Sequence, residues 1–223
     1  MFKKIAIIGL FLTGISCLYA EDALRVGFEQ EGEKTPCFWV AAGEKGQIWS
    51  KDKAIKEGYI KINYAGITEE KSYTGKKSYK LDITLNGGYV YFSLPLSSKI
   101  KVKKYPYISA YMYIEKGADC MIKLGVRPIY TKPDGTKTSG VDMGGYYGPE
   151  TGFVELEDGW RFYQFDDYSH AKRSCAKSKN GGNPDDVEID CVSLNIFKWG
   201  ENAEGEKHII LYLDDVVVSA EKQ

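Results

Sequence analysis

The chain has 223 residues with 30 basic and 31 acidic side chains, so its formal net charge is −1. This balance excludes nucleic acid as a partner, because phosphate recognition needs a basic surface. A chain of this length can bury about 70% of its unfolded surface as a single domain, and we expect one domain.

The first twenty residues have the pattern of a secretory signal peptide. Lys3 and Lys4 precede an uncharged stretch with an apolar centre, and the small Ala20 stands at the expected cleavage position. The apolar part is short for a membrane span, so the chain is not expected to cross a membrane. Lipid attachment at Cys17 is an open alternative. We therefore expect a mature domain of residues 21–223, with 28 basic and 31 acidic residues, in the periplasm or outside the cell.

Alternation of apolar and polar residues dominates the mature chain. It is clearest in four stretches, residues 89–96, 107–114, 121–127 and 191–199. Further strands are expected at residues 24–28, 37–41, 59–64, 78–85, 160–165 and 208–218. Residues 51–57 suggest a short helix, and residues 131–152 and 166–186 are expected to be long loops. Many strands separated by turn signals predict an all-β, antiparallel β-sandwich.

Four cysteines remain after removal of the signal peptide: Cys37, Cys120, Cys175 and Cys191. An even number in an exported chain favours disulfides, and three pairings are possible. We favour Cys175 with Cys191, because the polar segment between them would close a loop and contribute about 3 kcal/mol. Cys37 would then pair with Cys120.

The outward positions of the four clearest strands are unusually aromatic. They carry Tyr89, Tyr91, Tyr107, Tyr111, Tyr113, Phe197 and Trp199, with Lys123, Arg127, Ser109, Ser193 and Asn195 among them. Aromatic rings next to amide and guanidinium donors suit the C–H faces and hydroxyls of a polysaccharide or oligosaccharide. The candidate ligand-binding residues are Tyr89, Tyr91, Tyr111, Tyr113, Arg127, Asn195 and Trp199. Two alternatives stay open: cross-strand tyrosine pairs without a ligand, and a face covered by residues 131–152 or by a partner.

Signals for catalysis are weak. The chain has no nucleophile elbow, zinc-protease motif or phosphate loop, and His170 and His208 lie in polar surroundings. The carboxylate pairs Glu155 with Glu157 and Glu188 with Asp190 are interpreted as solvated strand faces. We therefore expect no enzymatic activity.

Asp214 and Asp215 interrupt the apolar final strand. Successive strand residues point to opposite faces, so at most one of the two carboxylates can face the core. Asp215 shares its phase with Ile209, Leu211 and Leu213 and is expected to face the core edge, whereas Asp214 faces the other way. The pair is interpreted either as a solvated strand end or as a calcium ligand.

Four motifs in order carry a resemblance to a known family. They are Phe28-Glu29, the stretch 73–81 (YTGKKSYKL), the stretch 158–163 (DGWRFY) and the stretch 211–218 (LYLDDVVV). Together they resemble the galactose-binding-like, jelly-roll carbohydrate-binding modules that are appended to bacterial xylanases and glucanases. The resemblance implies a single jelly-roll domain, no catalysis and an aromatic sugar-binding face. It also implies a structural Ca²⁺ held by Glu29 and Asp215, with Asp214 a further candidate ligand.

The leading hypothesis is a secreted, non-catalytic, polysaccharide-binding module with a structural calcium. The alternative is an extracellular or envelope structural protein that binds a protein partner at the cell surface. A polysaccharide lyase or glycoside hydrolase is the least favoured hypothesis.

Overall fold

The computed structural model describes residues 22–43, 46–48, 50–139, 153–177, 182–198 and 204–223. The predicted signal peptide, including Cys17, lies outside the described residues. Within these ranges, no helix is both long enough and apolar enough to cross a membrane.

Two antiparallel sheets form the fold. In the back sheet, strands follow the order β10 (Phe153–Glu155), β11 (Trp160–Asp166), β7 (Tyr107–Lys116), β13 (Lys207–Ser219), β5 (Ser78–Leu85) and β4 (Ile60–Thr68), and β1 (Leu24–Val26) pairs with one end of β13. In the front sheet, the order is β3 (Gly46–Ile48), β2 (Cys37–Gly43), β6 (Tyr89–Lys101), β12 (Glu188–Phe197), β8 (Met121–Thr131) and β9 (Lys137–Ser139). The predicted all-β antiparallel sandwich is confirmed.

The core lies between the sheets and is built by the alternation seen in the sequence. Buried residues such as Leu81, Ile108 and Leu211 come from the back sheet, and Leu124 and Ile196 come from the front sheet. Because alternate residues of each strand enter this core, the others form the outer face of each sheet. A ligand can bind on these outer faces.

A helix occupies part of a predicted loop. Residues 166–186 were expected to be a loop, but α2 spans Asp167–Lys177, followed by a 3-10 turn at Pro184–Asp186. The Asp166 carboxylate accepts hydrogen bonds from the Ser169 amide (2.9 Å) and hydroxyl (2.6 Å), which satisfies the first turn, and Ala171 is buried in the core. The predicted helix near residues 51–57 is confirmed as α1 (Lys51–Lys56), capped by Ser50.

The second long loop also contains regular structure. Residues 131–152 were expected to be a loop, but β9 pairs with the end of β8 through a turn in which the Lys132 amide bonds to the Thr136 carbonyl (2.8 Å). Gly135 adopts a positive φ of 81° in this turn, as its Pro-Asp-Gly context favours. Residues 140–152 lie outside the described part of the chain.

The structure forms neither predicted disulfide. Cys37 lies on the outer face of the front sheet, with its sulfur 3.4 Å from the Ser93 carbonyl, whereas Cys120 packs in the core. The two sulfurs therefore lie on opposite sides of the front sheet. Cys175 sits on α2, whereas Cys191 is buried within β12, so this pair does not meet either. All four are free thiols.

Candidate functional site

The predicted tyrosine face is divided between the two sheets. Tyr111 and Tyr113 belong to β7 in the back sheet, whereas Tyr89, Tyr91 and the candidate polar residues belong to the front sheet. The residues share outward phase, but the outer faces of a sandwich point in opposite directions. The prediction of one continuous face is therefore wrong. Trp199, the remaining aromatic candidate, lies outside the described residues.

The aromatic row of the back sheet is covered by the chain itself. We call residues 69–77 the 69–77 loop. Within it, the Tyr73 ring stacks on Tyr111 with centroids 3.8 Å apart, and Lys71 Nζ lies 3.7 Å from the centroid of the Tyr113 ring. Tyr111 and Tyr113 are half-buried beneath this loop, and burial raises the pKa of Tyr111. These two tyrosines therefore serve to hold the loop and offer no open platform for a sugar.

Three carboxylates anchor the 69–77 loop, and they are the predicted metal ligands. Asp214 Oδ2 accepts hydrogen bonds from the Tyr73 amide (2.8 Å) and the Thr74 amide (3.0 Å). Asp215 Oδ2 accepts one from the Thr74 hydroxyl (3.1 Å). Glu29 Oε1 accepts two from the backbone amides of residues 76 and 77, both 2.7 Å, and these bonds lower the pKa of Glu29.

The orientation predicted for Asp215 is wrong. A β-bulge between Asp214 and Val217 interrupts the alternation of β13, and Asp215 takes a positive φ of 44°. Asp215 is consequently only partly buried, with Oδ2 directed at Thr74. Asp214 faces away from the core, as expected, yet its side chain is fully buried, and this burial raises its pKa to about 6.

The groups around these three carboxylates do not fit a calcium site. Calcium takes six to eight oxygen ligands, but the groups directed at Glu29 and Asp214 are N–H donors, which a cation would repel. Across the described ranges, no three Asp, Glu, His or Cys side chains are grouped to hold a metal. The fold places the three carboxylates around one loop, where their contacts are hydrogen bonds, and the calcium site implied by the resemblance stays a prediction for which EDTA is the test.

The outer face of the front sheet carries a second aromatic cluster. Backbone register aligns Tyr91, Asn195 and Lys123 across three neighbouring strands, and the next row contains Tyr89 and Phe197. Tyr89 stacks on Tyr91 with centroids 4.9 Å apart, and Phe197 meets Tyr91 edge-on at 5.3 Å. The structure thus brings together Tyr89, Tyr91 and Asn195, three of the predicted ligand-binding residues.

Asn195 lies at the centre of this face with its amide unsatisfied. Its side chain is 0% exposed, and within the described structure neither the amide nitrogen nor the amide oxygen has a hydrogen-bond partner. Such a group costs about 1–3 kcal/mol, so it is rare in native structures and calls for a ligand or ordered water. Beside it, burial lowers the pKa of Lys123.

Sequence reasoning missed Trp39. Trp39 lies on the outer face of β2, beside a bulge between Phe38 and Val40, and its ring centroid is 5.9 Å from that of Tyr91. A tryptophan in phase with Cys37 within a predicted strand was a visible signal, but the strand pairing that brings it beside Tyr91 is visible only in the fold.

Arg127 makes different contacts from those predicted. It was expected to bond to sugar, but Nε donates to Asp190 Oδ1 (2.7 Å) and Nη2 to Oδ2 (2.5 Å). The guanidinium carbon lies 5.1 Å from the centroid of the Trp39 ring. Asp190 is therefore an ion-pair partner, whereas the sequence analysis interpreted it as a solvated residue.

Solved structures share this architecture. The family 30 carbohydrate-binding module of the cellulosomal cellulase Cel9D-Cel44B of Clostridium thermocellum matches with a TM-score of 0.50 and 14% identity, over 86% of this chain and 96% of that one. A second structure of a family 30 module gives the same TM-score and identity, over 86% of each chain. The family 11 module of the cellulase Lic26A-Cel5E of the same organism has a TM-score of 0.45 and 11% identity, over 89% of this chain and 96% of that one.

The chain has the fold of the two family 30 modules. The resemblance inferred from the four motifs is confirmed at the level of structure. No family model and no curated protein sequence matches the chain. At 14% identity the likeness establishes a shared fold, so the ligand has to be argued from the residues of the chain itself.

Proposed function

We propose that this protein is a secreted, non-catalytic module that binds a polysaccharide or oligosaccharide on the outer face of its front sheet. The observation that carries the proposal is the buried, unpaired amide of Asn195 in the middle of an aromatic cluster. The surrounding rings belong to Trp39, Tyr89, Tyr91 and Phe197.

Sugar chemistry matches this arrangement. A primary amide donates two hydrogen bonds and accepts two, so Asn195 can pair with neighbouring hydroxyls of one sugar ring. The aromatic rings can pack against the C–H face of a sugar, at about 1 kcal/mol for each ring by analogy with aromatic pairs. Binding would also relieve the cost of leaving the Asn195 amide unpaired.

A binding role is favoured over catalysis by the contacts of Asp190, a carboxylate in the central strand β12 of the front sheet. Asp190 is held by Arg127 in a two-point ion pair, so it is committed to a positive partner. A glycosidase needs a second carboxylate facing it across a groove. The carboxylates of Glu29, Asp214 and Asp215 are committed to the 69–77 loop near the back sheet.

The test is glycan binding by the chain and by Asn195→Ala. Affinity electrophoresis against plant, algal and bacterial polysaccharides identifies a ligand, and calorimetry measures its affinity. We expect Asn195→Ala to weaken binding about tenfold, since one good hydrogen-bonding group contributes about 1.4 kcal/mol.

Gln164→Ala is the matched control. Gln164 lies in β11 of the back sheet and also has an unpaired buried amide nitrogen, so its loss tests the same chemistry on the other side of the sandwich. Its affinity for glycan should be unchanged. Retention of the folded protein on no glycan would refute the proposal, and self-association or protein capture in its place would favour the partner-binding alternative.

A further inference from the structure

We propose that Trp39 and Arg127 form a side-chain gate across the outer face of the front sheet, latched by Asp190, which must open before a glycan reaches Asn195. This inference rests on the proposed function, because it concerns access to the same site.

The contact between Trp39 and Arg127 spans the width of the site. Trp39 is in β2 and Arg127 is in β8, and β6 and β12 lie between them. Three strand spacings of about 4.8 Å separate the two backbones by roughly 14 Å. The guanidinium nevertheless lies 5.1 Å from the centre of the Trp39 ring. Both side chains therefore reach inward and meet above the two central strands.

The outward side chains of the two central strands are closed off. On the outer face of β12, Cys191 is 2% exposed, and Ser193 and Asn195 are 0% exposed. On β6, Tyr91 is 6% exposed. A sugar polymer cannot contact a side chain that is inaccessible even to water. The conformation with Trp39 against Arg127 is accordingly a closed state of the site.

The latch depends on the shape of β12. Its register with β8 shifts between Ile189 and Val192, so two residues, Asp190 and Cys191, lie opposite Arg127. The two-point ion pair fixes the plane of the guanidinium and thereby its approach to Trp39. Loss of the Asp190 charge should free Arg127 to leave the indole.

The closed state is destabilised by a buried polar group without a hydrogen bond, and a glycan would remove this cost. The Asn195 amide is unpaired while the gate is shut, and hydroxyl groups satisfy it when the gate opens. The apparent dissociation constant then equals the intrinsic one divided by the open fraction. A variant that opens the gate should consequently bind more tightly and faster, whereas loss of a direct sugar contact would weaken binding.

The first experiment needs no glycan. Acrylamide quenching of tryptophan fluorescence is measured for the wild type and Asp190→Asn, each with and without the further change Trp39→Phe. The difference within each pair gives the signal of Trp39. Asp190→Asn should raise quenching of Trp39 about twofold or more, because the open fraction increases. Quenching that stays at the wild-type level in Asp190→Asn would overturn the gate.

Glu188→Gln is the matched control for both experiments. Glu188 lies in the same strand, pairs with Lys137 at 3.0 Å and has the same 22% side-chain exposure as Asp190, but does not contact Trp39 or Arg127. It should behave like the wild type. Arg127→Ala provides a second opening variant that removes the guanidinium itself.

The second experiment measures association with cellohexaose and xylohexaose by stopped flow. Asp190→Asn and Arg127→Ala should associate about threefold faster or more than the wild type and Glu188→Gln. Weaker binding by Arg127→Ala without faster association would make Arg127 a direct sugar contact and refute the gate. If no protein binds any glycan while Trp39 quenching responds as expected, the proposed function fails and with it the role in glycan access, whereas the latch of Asp190 on the Trp39–Arg127 contact is supported.

Discussion

Replacement of Asp214 by alanine should destabilise the protein by about 3 kcal/mol. The carboxylate accepts three backbone hydrogen bonds, from residues 73, 74 and 215, and each bond to a charged acceptor contributes about 1.5–3 kcal/mol. Burial of the charge opposes this gain and raises the pKa from 3.8 to about 6, so the net cost of the substitution lies below the sum of the three bonds. Urea unfolding measures the net effect, and near-ultraviolet circular dichroism should lose the signal of Tyr73 stacked on Tyr111.

The neighbouring Asp215 supplies the control. Asp215→Asn keeps a side chain that tolerates the positive φ of 44° and can still accept the bond from the Thr74 hydroxyl, so it should cost less than about 1 kcal/mol. Equal effects at both positions, or a cost below about 1 kcal/mol for Asp214→Ala, would refute the anchoring role assigned to Asp214.

The same carboxylate makes stability depend on pH in a defined direction. The folded protein holds the Asp214 proton up to about pH 6, whereas the unfolded chain releases it near 3.8. A raised pKa means that this group stabilises the fold at low pH and that the benefit is lost as pH rises through 6. From pH 7.5 to 4 the wild type should therefore gain about 2–3 kcal/mol relative to Asp214→Asn. If the free energies of unfolding of the two proteins changed in parallel with pH, the raised pKa of Asp214 would be contradicted.

Two further predictions concern metal and thiols. Addition of EDTA should leave the melting temperature of the protein unchanged, because N–H donors already satisfy Glu29 and Asp214; a fall of several degrees would instead support the calcium site implied by the sequence. Reductant should leave the urea midpoint of residues 21–223 unchanged, and a thiol titration in denaturant should find four free thiols; fewer thiols would restore the predicted disulfides.

Local sequence pattern predicted the strands well because alternation is a local property. The cores of β6, β7, β8 and β12 follow directly from the phase of their apolar residues. The phase of the alternation predicts on which side of its strand a residue lies. The sheet that a strand joins is decided by pairing between distant parts of the chain. Tyr91 and Tyr111 have the same phase and therefore looked like neighbours, although they lie on opposite faces of the sandwich.

The errors at the site come from irregular backbone. Bulges after Phe38, Ile189 and Asp214 each shift the phase by one residue, and nothing in the flanking residues indicates them. The two bulges in the front sheet lie beside Trp39 and Asp190, at the edges of the candidate site. The bulge at Asp215 directs two adjacent carboxylates to one loop. A carboxylate pair in an apolar strand was a correct signal of special structure, but its partners could be identified only from the fold.

The position of β13 in the back sheet has a consequence for how the chain folds. It is the last strand of the described chain to be synthesised, yet it lies between β7 and β5 and also pairs with β1, for example Leu24 with Val218. Until β13 emerges, the two halves of the back sheet have no strand to join them. Folding of the back sheet must therefore wait for contacts between strands that are far apart in sequence, which predicts slow, all-or-none folding of the domain.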